Sequence, residues 1–227
     1  MKKDKMFHKW PKTFRILISE INVKGKYYLS DDQVKLLLAG EVSITEKVDG
    51  CNVGIIKTKD GFRLQKRGGL VGLSEHPQYN MLKAWSQNNY NKLIQLPENT
   101  ILFAEFLYAK HTIFYDALTD YFLAFDLYNY KERKHYHRDE LTKLCDTLGL
   151  CYVPEVARGH FKKTELFKLI PKVSNFSTTE KAEGIIVAKL KDGSRGKIVR
   201  EEFVKHLEEN DHWLKYDVTK NQLKKAP

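Results

Sequence analysis

Asp-Gly dipeptides between short apolar runs constrain the fold of this chain more than any other feature of its sequence. One lies at 60–61, between alternating runs at 53–56 and 62–65, and another lies at 192–193, after the apolar run 184–190. Asp-Gly is a preferred pair in the tight turns of β-hairpins, because these turns need backbone angles that glycine and aspartate tolerate. The sequence therefore predicts β-hairpins, and with them antiparallel sheets.

Helical patterns separate these hairpins along the chain. Apolar residues recur near helical spacing after Pro77, and Gly149 follows a second pattern at the position where glycine commonly ends a helix. We predict helices over 77–96, 139–148, 164–170 and 201–215, and further strands over 42–50, 101–107, 121–128 and 197–199. Hairpins with helices inserted between them indicate an α+β domain with mostly antiparallel sheets.

Charge and cysteine content narrow the class of protein. The 227 residues carry 39 Lys and Arg against 29 Asp and Glu, a formal net charge of +10. This excess favours polyanionic partners such as nucleic acid, although solvated surface lysines give the same number. No apolar run reaches the ~18 residues of a membrane span, and no apolar signal core follows the first residues. Three cysteines without a CxxC pair suit a reducing compartment, so we expect a cytoplasmic protein.

The segment 46–50, Glu-Lys-Val-Asp-Gly, is the sharpest chemical feature of the chain. A lysine at a strand end, two residues before an acid, can attack the α-phosphorus of a nucleoside triphosphate and form a phosphoramidate. The amine must first lose its proton, which burial or a nearby cation favours by lowering its pKa. The same string also fits a charged strand end followed by an Asp-Gly turn, so alone it only suggests this chemistry.

Charged residues further along the chain supply what that chemistry needs. Acids lie inside or beside apolar strands at Glu105, Asp126 and Glu183, where an unpaired buried acid is costly. Cations follow a predicted strand at Arg67 and lie on the last strand at 195–200. Together these groups can bind a divalent metal, a ribose and a triphosphate, whereas each acid taken singly fits a structural ion pair.

Two nearby histidines are a weaker candidate. His135 and His137 lie in a strongly charged run that is predicted to be an exposed turn. A metal role would require a third ligand, and none is close in sequence.

The order of the charged segments resembles the covalent nucleotidyltransferase superfamily of polynucleotide ligases and mRNA capping enzymes, and within it the RNA ligase 2 family. That order is Lys-x-Asp-Gly, an acid in a strand, Phe-Asp, Glu-Gly-Ile-Ile-Val and a lysine on the last strand. The similarity covers roughly residues 7–205, with matching segments at 9–13, 46–55, 65–68, 109–115 and 120–128. It implies the nucleotidyltransferase (ligase adenylylation-domain) fold and an enzyme that uses ATP with Mg²⁺ or Mn²⁺.

The resemblance implies catalytic roles for four residues. Lys47 would be the nucleophile that becomes linked to AMP, and Lys197 would hold the α-phosphate. Asp49 and Glu183 would organise the metal ion and its waters.

Further residues are implied to bind the nucleotide. Glu46 would present its backbone carbonyl to the adenine, and Phe125 would stack on the same ring. Asn52 would help to hold the ribose and phosphate region, Arg67 would contact the phosphate or the ribose, and Glu105 would bind the ribose or a metal water.

The last strand departs from the family's usual Lys-x-Lys pattern. Arg195 stands where the first lysine is expected, and it would assist Lys197 at the α-phosphate. Arg200 is a second candidate for the same contact, because arginine also binds phosphate well.

The expected organisation is one nucleotidyltransferase domain over 1–227, with a helix and basic tail over 201–227 and no OB-fold or separate C-terminal domain. Since such a module normally clamps nucleic acid, the net charge or a clamp partner would have to hold the RNA. We expect an ATP-dependent RNA ligase that seals 5′-phosphate and 3′-hydroxyl ends of nicked or single-stranded RNA. The alternatives are a small ATP-dependent DNA ligase and an inactive basic RNA-binding domain of the same fold.

Overall fold

The computed structural model describes residues 7–17, 27–73, 75–204 and 218–225 of the chain. The strands are β1 Phe14–Arg15, β2 Val42–Glu46, β3 Cys51–Thr58, β4 Gly61–Lys66, β5 Gly69–Leu70, β6 Thr100–Phe106, β7 Phe122–Asn129, β8 Lys134–His135, β9 Glu155–Gly159, β10 Gly184–Lys189 and β11 Arg195–Val199. The helices are α1 Asp31–Leu38, α2 Pro77–Asn88, α3 Tyr90–Leu93, α4 Arg138–Leu148 and α5 Lys163–Leu166, the last continued by a 3-10 turn at Phe167–Leu169. This mixture confirms the predicted α+β class with mostly antiparallel sheets.

The first sheet has six antiparallel strands in the order β5-β4-β3-β6-β7-β8. Strands β3 and β4 form a predicted hairpin, and Gly61 in its turn has φ +139°, which side chains other than glycine rarely adopt. The sheet packs against α2 and α4 through buried apolar residues that include Leu82, Leu102, Phe122 and Cys145.

The second sheet has five strands in the order β1-β11-β10-β2-β9, antiparallel except for the β1–β11 pair. Strands β10 and β11 form the second predicted hairpin. A separate core of buried residues, among them Ile44, Ile185 and Val34 of α1, covers this sheet.

Strands β2 and β3 are consecutive in sequence but lie in different sheets. The predicted strand over 42–50 is wrong at its end, because β2 ends at Glu46 and residues 47–50 cross to the other sheet. The crossing needs a glycine at Gly50, since a Cβ there would lie 2.6 Å from Leu107 Cδ2 and 2.7 Å from Phe106 O. The crossing places Lys47 between the two sheets.

Most predicted helices are present with altered bounds. Helix α4 ends before Gly149, whose φ of +61° matches its predicted role as the helix end. The pattern over 77–96 divides at Asn89 into α2 and α3. The helix predicted over 201–215 lies mostly outside the described residues, of which 201–204 are helical.

Helix α1 was not predicted, although its first turn carries a recognisable signal. Ser30 accepts a hydrogen bond from Gln33 N, and the Gln33 side chain accepts one from Ser30 N, which together form a capping box. None of the helices in the described ranges is long and apolar enough to cross a membrane.

Candidate active site

A cavity of about 380 Å³ lies between the two sheets, where residues 47–50 cross from one to the other. Both sheets contribute to its lining, and so does the segment before β1. The lining includes every residue that the sequence predicts for the site, apart from the alternative cation Arg200: Lys47, Asp49, Glu183, Lys197, Glu46, Asn52, Arg67, Glu105, Phe125 and Arg195. Residues up to 151 positions apart in sequence are thus brought to one cavity, while their chemical roles stay predictions.

Lys47 is held by the strand that pairs with β2. Its backbone N–H donates to Gly184 O at 2.9 Å, which extends the β2–β10 pairing by one residue. Its Nζ forms an ion pair with Glu183 Oε2, and the Glu183 side chain is 6% exposed against 21% for Lys47. A potential nucleophile therefore faces an acid on the neighbouring strand.

The pKa of Lys47 is raised, whereas the sequence predicts a lowered pKa. Burial lowers the pKa of the Lys47 amine, but the carboxylates of Glu183, Asp49 and Glu105 outweigh that effect and raise the pKa above its ordinary value. Lys47 is therefore an ammonium ion in the ligand-free site. An ammonium group can act as a nucleophile only after it loses its proton, which neutralisation of the surrounding negative charge or transfer to an acid would allow.

The acids around Lys47 are themselves perturbed. Burial raises the pKa of Glu105 to about 8, with further contributions from Asp49 and Glu183 that oppose the effect of Lys47. Burial also raises the pKa of Glu183, although Lys47 opposes it. In the described part of the chain, no three His, Cys, Asp or Glu side chains are grouped closely enough to hold a metal ion by themselves.

Lys197 lies on β11 and supplies positive charge beside the acids. It pairs in register with Ile186 of β10. Burial, together with the nearby charges of Lys47, Arg15 and Arg67, lowers the pKa of Lys197 to about 8 against the opposing effect of Glu183. The cavity thus has a cationic region next to its cluster of acids.

Asp49 is held in place by the irregular segment that follows β6. Asp49 Oδ2 accepts hydrogen bonds from the backbone N–H groups of Thr112 (2.7 Å) and Ile113 (3.3 Å). Asp49 N donates to Tyr115 Oη at 2.8 Å. Asp49 therefore fixes the turn after Lys47, and its metal role stays a prediction.

The Glu46 carboxylate accepts hydrogen bonds from other residues of the protein. The carboxylate is buried and accepts hydrogen bonds from Ser174 Oγ (2.5 Å), Asn175 N (2.8 Å) and Asn175 Nδ2 (2.9 Å). Burial raises the pKa of Glu46 despite these bonds. These bonds fix the end of β2. The contact of the Glu46 backbone carbonyl with adenine stays a prediction.

The family model for RNA ligases matches residues 40–216, which is most of the chain and includes Lys47, Glu105, Glu183 and Lys197. The chain belongs to the RNA ligase family. This membership confirms the resemblance to RNA ligase 2-type nucleotidyltransferases. A comparison with curated proteins gives no match.

Solved RNA ligase structures from Naegleria gruberi share the fold. A variant of that ligase with ATP and Mn is 16% identical, with a TM-score of 0.69, over 89% of this chain and 58% of the ligase. A second variant with AMP and Mn is 14% identical, with a TM-score of 0.67, over 91% and 60%. The same ligase with PPi is 15% identical, with a TM-score of 0.67, over 91% and 59%. This RNA ligase-family chain therefore spans less than two thirds of the Naegleria ligase.

Arg195 of this RNA ligase-family chain lines the cavity and also binds an acid of the first sheet, while its contact with the α-phosphate stays a prediction. Arg195 Nη2 donates to Asp126 Oδ2 at 3.1 Å, and its guanidinium lies 4.5 Å from the centre of the Trp10 ring. Asp126 Oδ2 also lies 2.6 Å from His135 Nδ1. His135 thus belongs to β8 and contacts a buried acid, in contrast to the predicted exposed turn.

The second candidate cation, Arg200, does not line the cavity. Its guanidinium donates to the backbone carbonyls of Ala182 (3.2 Å) and Pro171 (3.1 Å). Phe125 does line the cavity, and the edge of the Trp10 indole contacts it with ring centres 4.9 Å apart. Trp10 belongs to the matching segment 9–13, and the sequence gives no sign that it folds onto Phe125.

Proposed function

We propose that this chain is an ATP-dependent RNA ligase that forms a lysyl-AMP intermediate on Lys47. One observation carries the proposal: Lys47 Nζ is paired with Glu183 inside a cavity that also holds Asp49, Glu105 and Lys197. Family membership supports ligation of RNA as the overall reaction. The ATP and AMP bound by the related Naegleria enzyme support adenosine nucleotides as the substrates here.

The first step would form a bond between Lys47 Nζ and the α-phosphorus of ATP. The bond from the α-phosphorus to the bridging oxygen breaks, and pyrophosphate leaves with that electron pair. Glu183 is in hydrogen-bond contact with Nζ, so it is placed to accept the proton that the amine must lose. Its raised pKa makes it a stronger base than an ordinary carboxylate.

Cations that line the same cavity would stabilise the negative charge of the phosphates. Arg15 and Arg67 lie close enough to lower the pKa of Lys197, and all three cations line the cavity. Their combined positive charge favours a triphosphate and opposes the repulsion from the acids.

The acids of the site fit a divalent metal ion that prefers oxygen ligands. Glu105, Glu183 and Asp49 surround one lysine, and burial, with smaller contributions from the charges of Asp49 and Glu183, raises the pKa of Glu105 to about 8. Mg²⁺ and Mn²⁺ are commonly held by one or two carboxylates together with waters and substrate phosphates, so no preformed cage is required. Such an ion would supply positive charge that neutralises phosphate, and Glu183 and Asp49 would hold it.

The later steps would pass AMP to a 5′-phosphate end and then join that end to a 3′-hydroxyl with release of AMP. We propose RNA ends, nicked or single-stranded, as the substrates, held through the net charge of +10 or with the help of a clamp partner. A cytoplasmic location belongs to the same proposal and fits the thiols Cys51, Cys145 and Cys151, which are all free.

The test of the intermediate is labelling with α-labelled ATP and magnesium, followed by peptide mapping. We expect one AMP on Lys47, no adduct in Lys47→Ala, and normal labelling of Lys35→Ala, a matched control at a lysine whose side chain is 79% exposed. GTP should label poorly. AMP on another lysine, equal labelling by GTP, or no adduct in the wild-type chain would overturn the proposal, and the last result would favour an inactive RNA-binding domain.

Sealing assays identify the substrate. Nicked RNA, single-stranded RNA and nicked DNA are compared, each with ATP and with pre-adenylylated ends. Joining of RNA ends in preference to DNA supports the proposal. Efficient joining of nicked DNA alone would point to the DNA ligase alternative.

A further inference from the structure

Residues 218–225 form a segment that lies against the irregular stretch between β6 and β7. We name 218–225 the strap and 107–118 the site loop. Five backbone hydrogen bonds of 2.7–3.1 Å join them, among them Lys110 N to Thr219 O, Gln222 N to Tyr115 O and Lys224 N to Leu118 O. The site loop carries almost no regular secondary structure, so its backbone groups depend on partners such as these.

Asn221 is the central residue of the strap. It is completely buried, and its side chain donates from Nδ2 to Leu107 O (2.8 Å) and accepts at Oδ1 from Tyr115 N (3.0 Å). Its backbone N–H donates to Tyr108 O at 2.9 Å, and its carbonyl accepts from Tyr121 Oη at 3.2 Å. The Asn221 amide binds both the start of the site loop and Tyr115 further along it, because it offers a donor and an acceptor on one short side chain.

The site loop in turn holds the segment that carries Lys47. Tyr115 is fully buried, and its hydroxyl accepts the N–H of Asp49 at 2.8 Å. The N–H groups of Thr112 and Ile113 bind the Asp49 carboxylate, while Leu107 packs where a side chain on Gly50 would stand. One continuous set of contacts therefore runs from Asn221 through the site loop to the turn after Lys47.

We propose that Asn221 is a positioning residue for nucleotidyl transfer, because it sets the site loop that orients Asp49 and the Lys47 turn. The proposal rests on the proposed function of Lys47. The family model ends at residue 216, so Asn221 lies outside the matched residues. A change at Asn221 should lower the rate of adduct formation more than it weakens binding of ATP, since Phe125 and Glu46 do not belong to the site loop.

The principal experiment compares Asn221→Leu with Lys224→Ala. Asn221→Leu removes both side-chain hydrogen bonds while keeping the branching and the number of side-chain heavy atoms, whereas Lys224 is exposed and binds the site loop through its backbone N–H. We expect the single-turnover rate of Lys47–AMP formation to fall by ~10- to 100-fold in Asn221→Leu, because small misplacements of reacting groups have effects of that size. The KM for ATP should change much less, and Lys224→Ala should match the wild-type chain.

A second variant guards against simple loss of folding. Tyr115→Phe removes only the hydroxyl that accepts Asp49 N–H and leaves the Asn221 bond to Tyr115 N in place. It should slow adduct formation as well. In the double variant with Asn221→Leu, the loss in the rate of adduct formation should be smaller than the two single losses combined, because both changes act through the same contacts.

Hydrogen exchange does not depend on enzyme activity, so it separates the proposed role of Asn221 from the proposed function of Lys47. Hydrogen exchange of peptides over 47–50 and 110–115 should be faster in Asn221→Leu, below its unfolding temperature, than in the wild-type chain. Faster exchange with no adduct in any protein would remove the ligase function but keep the positioning contact. Unchanged exchange, or a folded Asn221→Leu protein with the wild-type adduct rate, would overturn the role of Asn221.

Discussion

A methyl group added at Gly184 should disturb the active site without replacing any of its charged residues. Gly184 opens β10 opposite Val199, and its carbonyl accepts the Lys47 N–H at 2.9 Å. An alanine Cβ there would lie 1.9 Å from Ile198 O. Cβ atoms in proteins essentially never approach a non-neighbouring heavy atom to within 3.0 Å. The β11 backbone would therefore have to move by about 1.1 Å, directly beside Lys197.

The size of the effect follows from that displacement. Overpacking of a buried site costs ~1–3 kcal/mol in the free energy of unfolding. For a chain of this length each kcal/mol lowers the melting temperature by ~2–4 °C, so Gly184→Ala should melt ~2–12 °C lower. Misplacement of reacting groups by ~1 Å lowers rates by up to ~100-fold, which sets the expected loss in Lys47–AMP formation.

The assay pairs thermal unfolding with single-turnover adduct formation followed by intact mass. Gly69→Ala is the matched control, because no atom lies within 4 Å of the Cβ it would add in β5. It should behave as the wild-type chain in both measurements. Wild-type stability and rate in Gly184→Ala, or an equal loss in Gly69→Ala, would refute the reasoning.

Three further predictions concern charge. Glu183→Gln removes the carboxylate paired with Lys47 and should slow adduct formation by ~100-fold or more, whereas a folded variant with the wild-type rate would make Glu183 purely structural. The pKa of Lys197 is about 8, so its positive charge is lost as pH rises through that value. Adduct formation should accordingly decline at higher pH, and Lys197→Arg should move the decline upward, while an unshifted pH profile would contradict this role. Added salt should reduce RNA joining more steeply than adduct formation, because each phosphate contact contributes ~0.7–0.9 to the negative salt slope, and parallel declines would argue against phosphate-based RNA binding.

The turns and helix ends that the sequence predicted correctly depend on the residues at those positions. The Asp-Gly turns at 60–61 and 192–193 predicted hairpins correctly, since turn angles depend on the residues in the turn itself. Gly149 marked the end of α4 for the same reason. Apart from the alternative cation Arg200, the residues predicted for the active site line one cavity, because ordered motifs carry family information that no single motif carries alone.

The tertiary structure decided everything that depends on how the two sheets meet. Alternation of apolar residues does not reveal that β2 and β3 belong to different sheets, because each strand has a buried face in either arrangement. The pairing of Arg195 with Asp126, 69 positions apart, likewise follows from the approach of β11 to β7, while the phosphate contact of Arg195 stays a prediction.

Long-range contacts also set the charge and geometry of the site. The bonds from Ser174 to Glu46 and from Tyr115 to Asn221 span 128 and 106 positions. The raised pKa of Lys47 arises because folding gathers three acids from separate segments around one amine. Sequence spacing carries no record of such distances, since Coulomb energies and hydrogen bonds depend on positions in space that exist only after the sheets have packed.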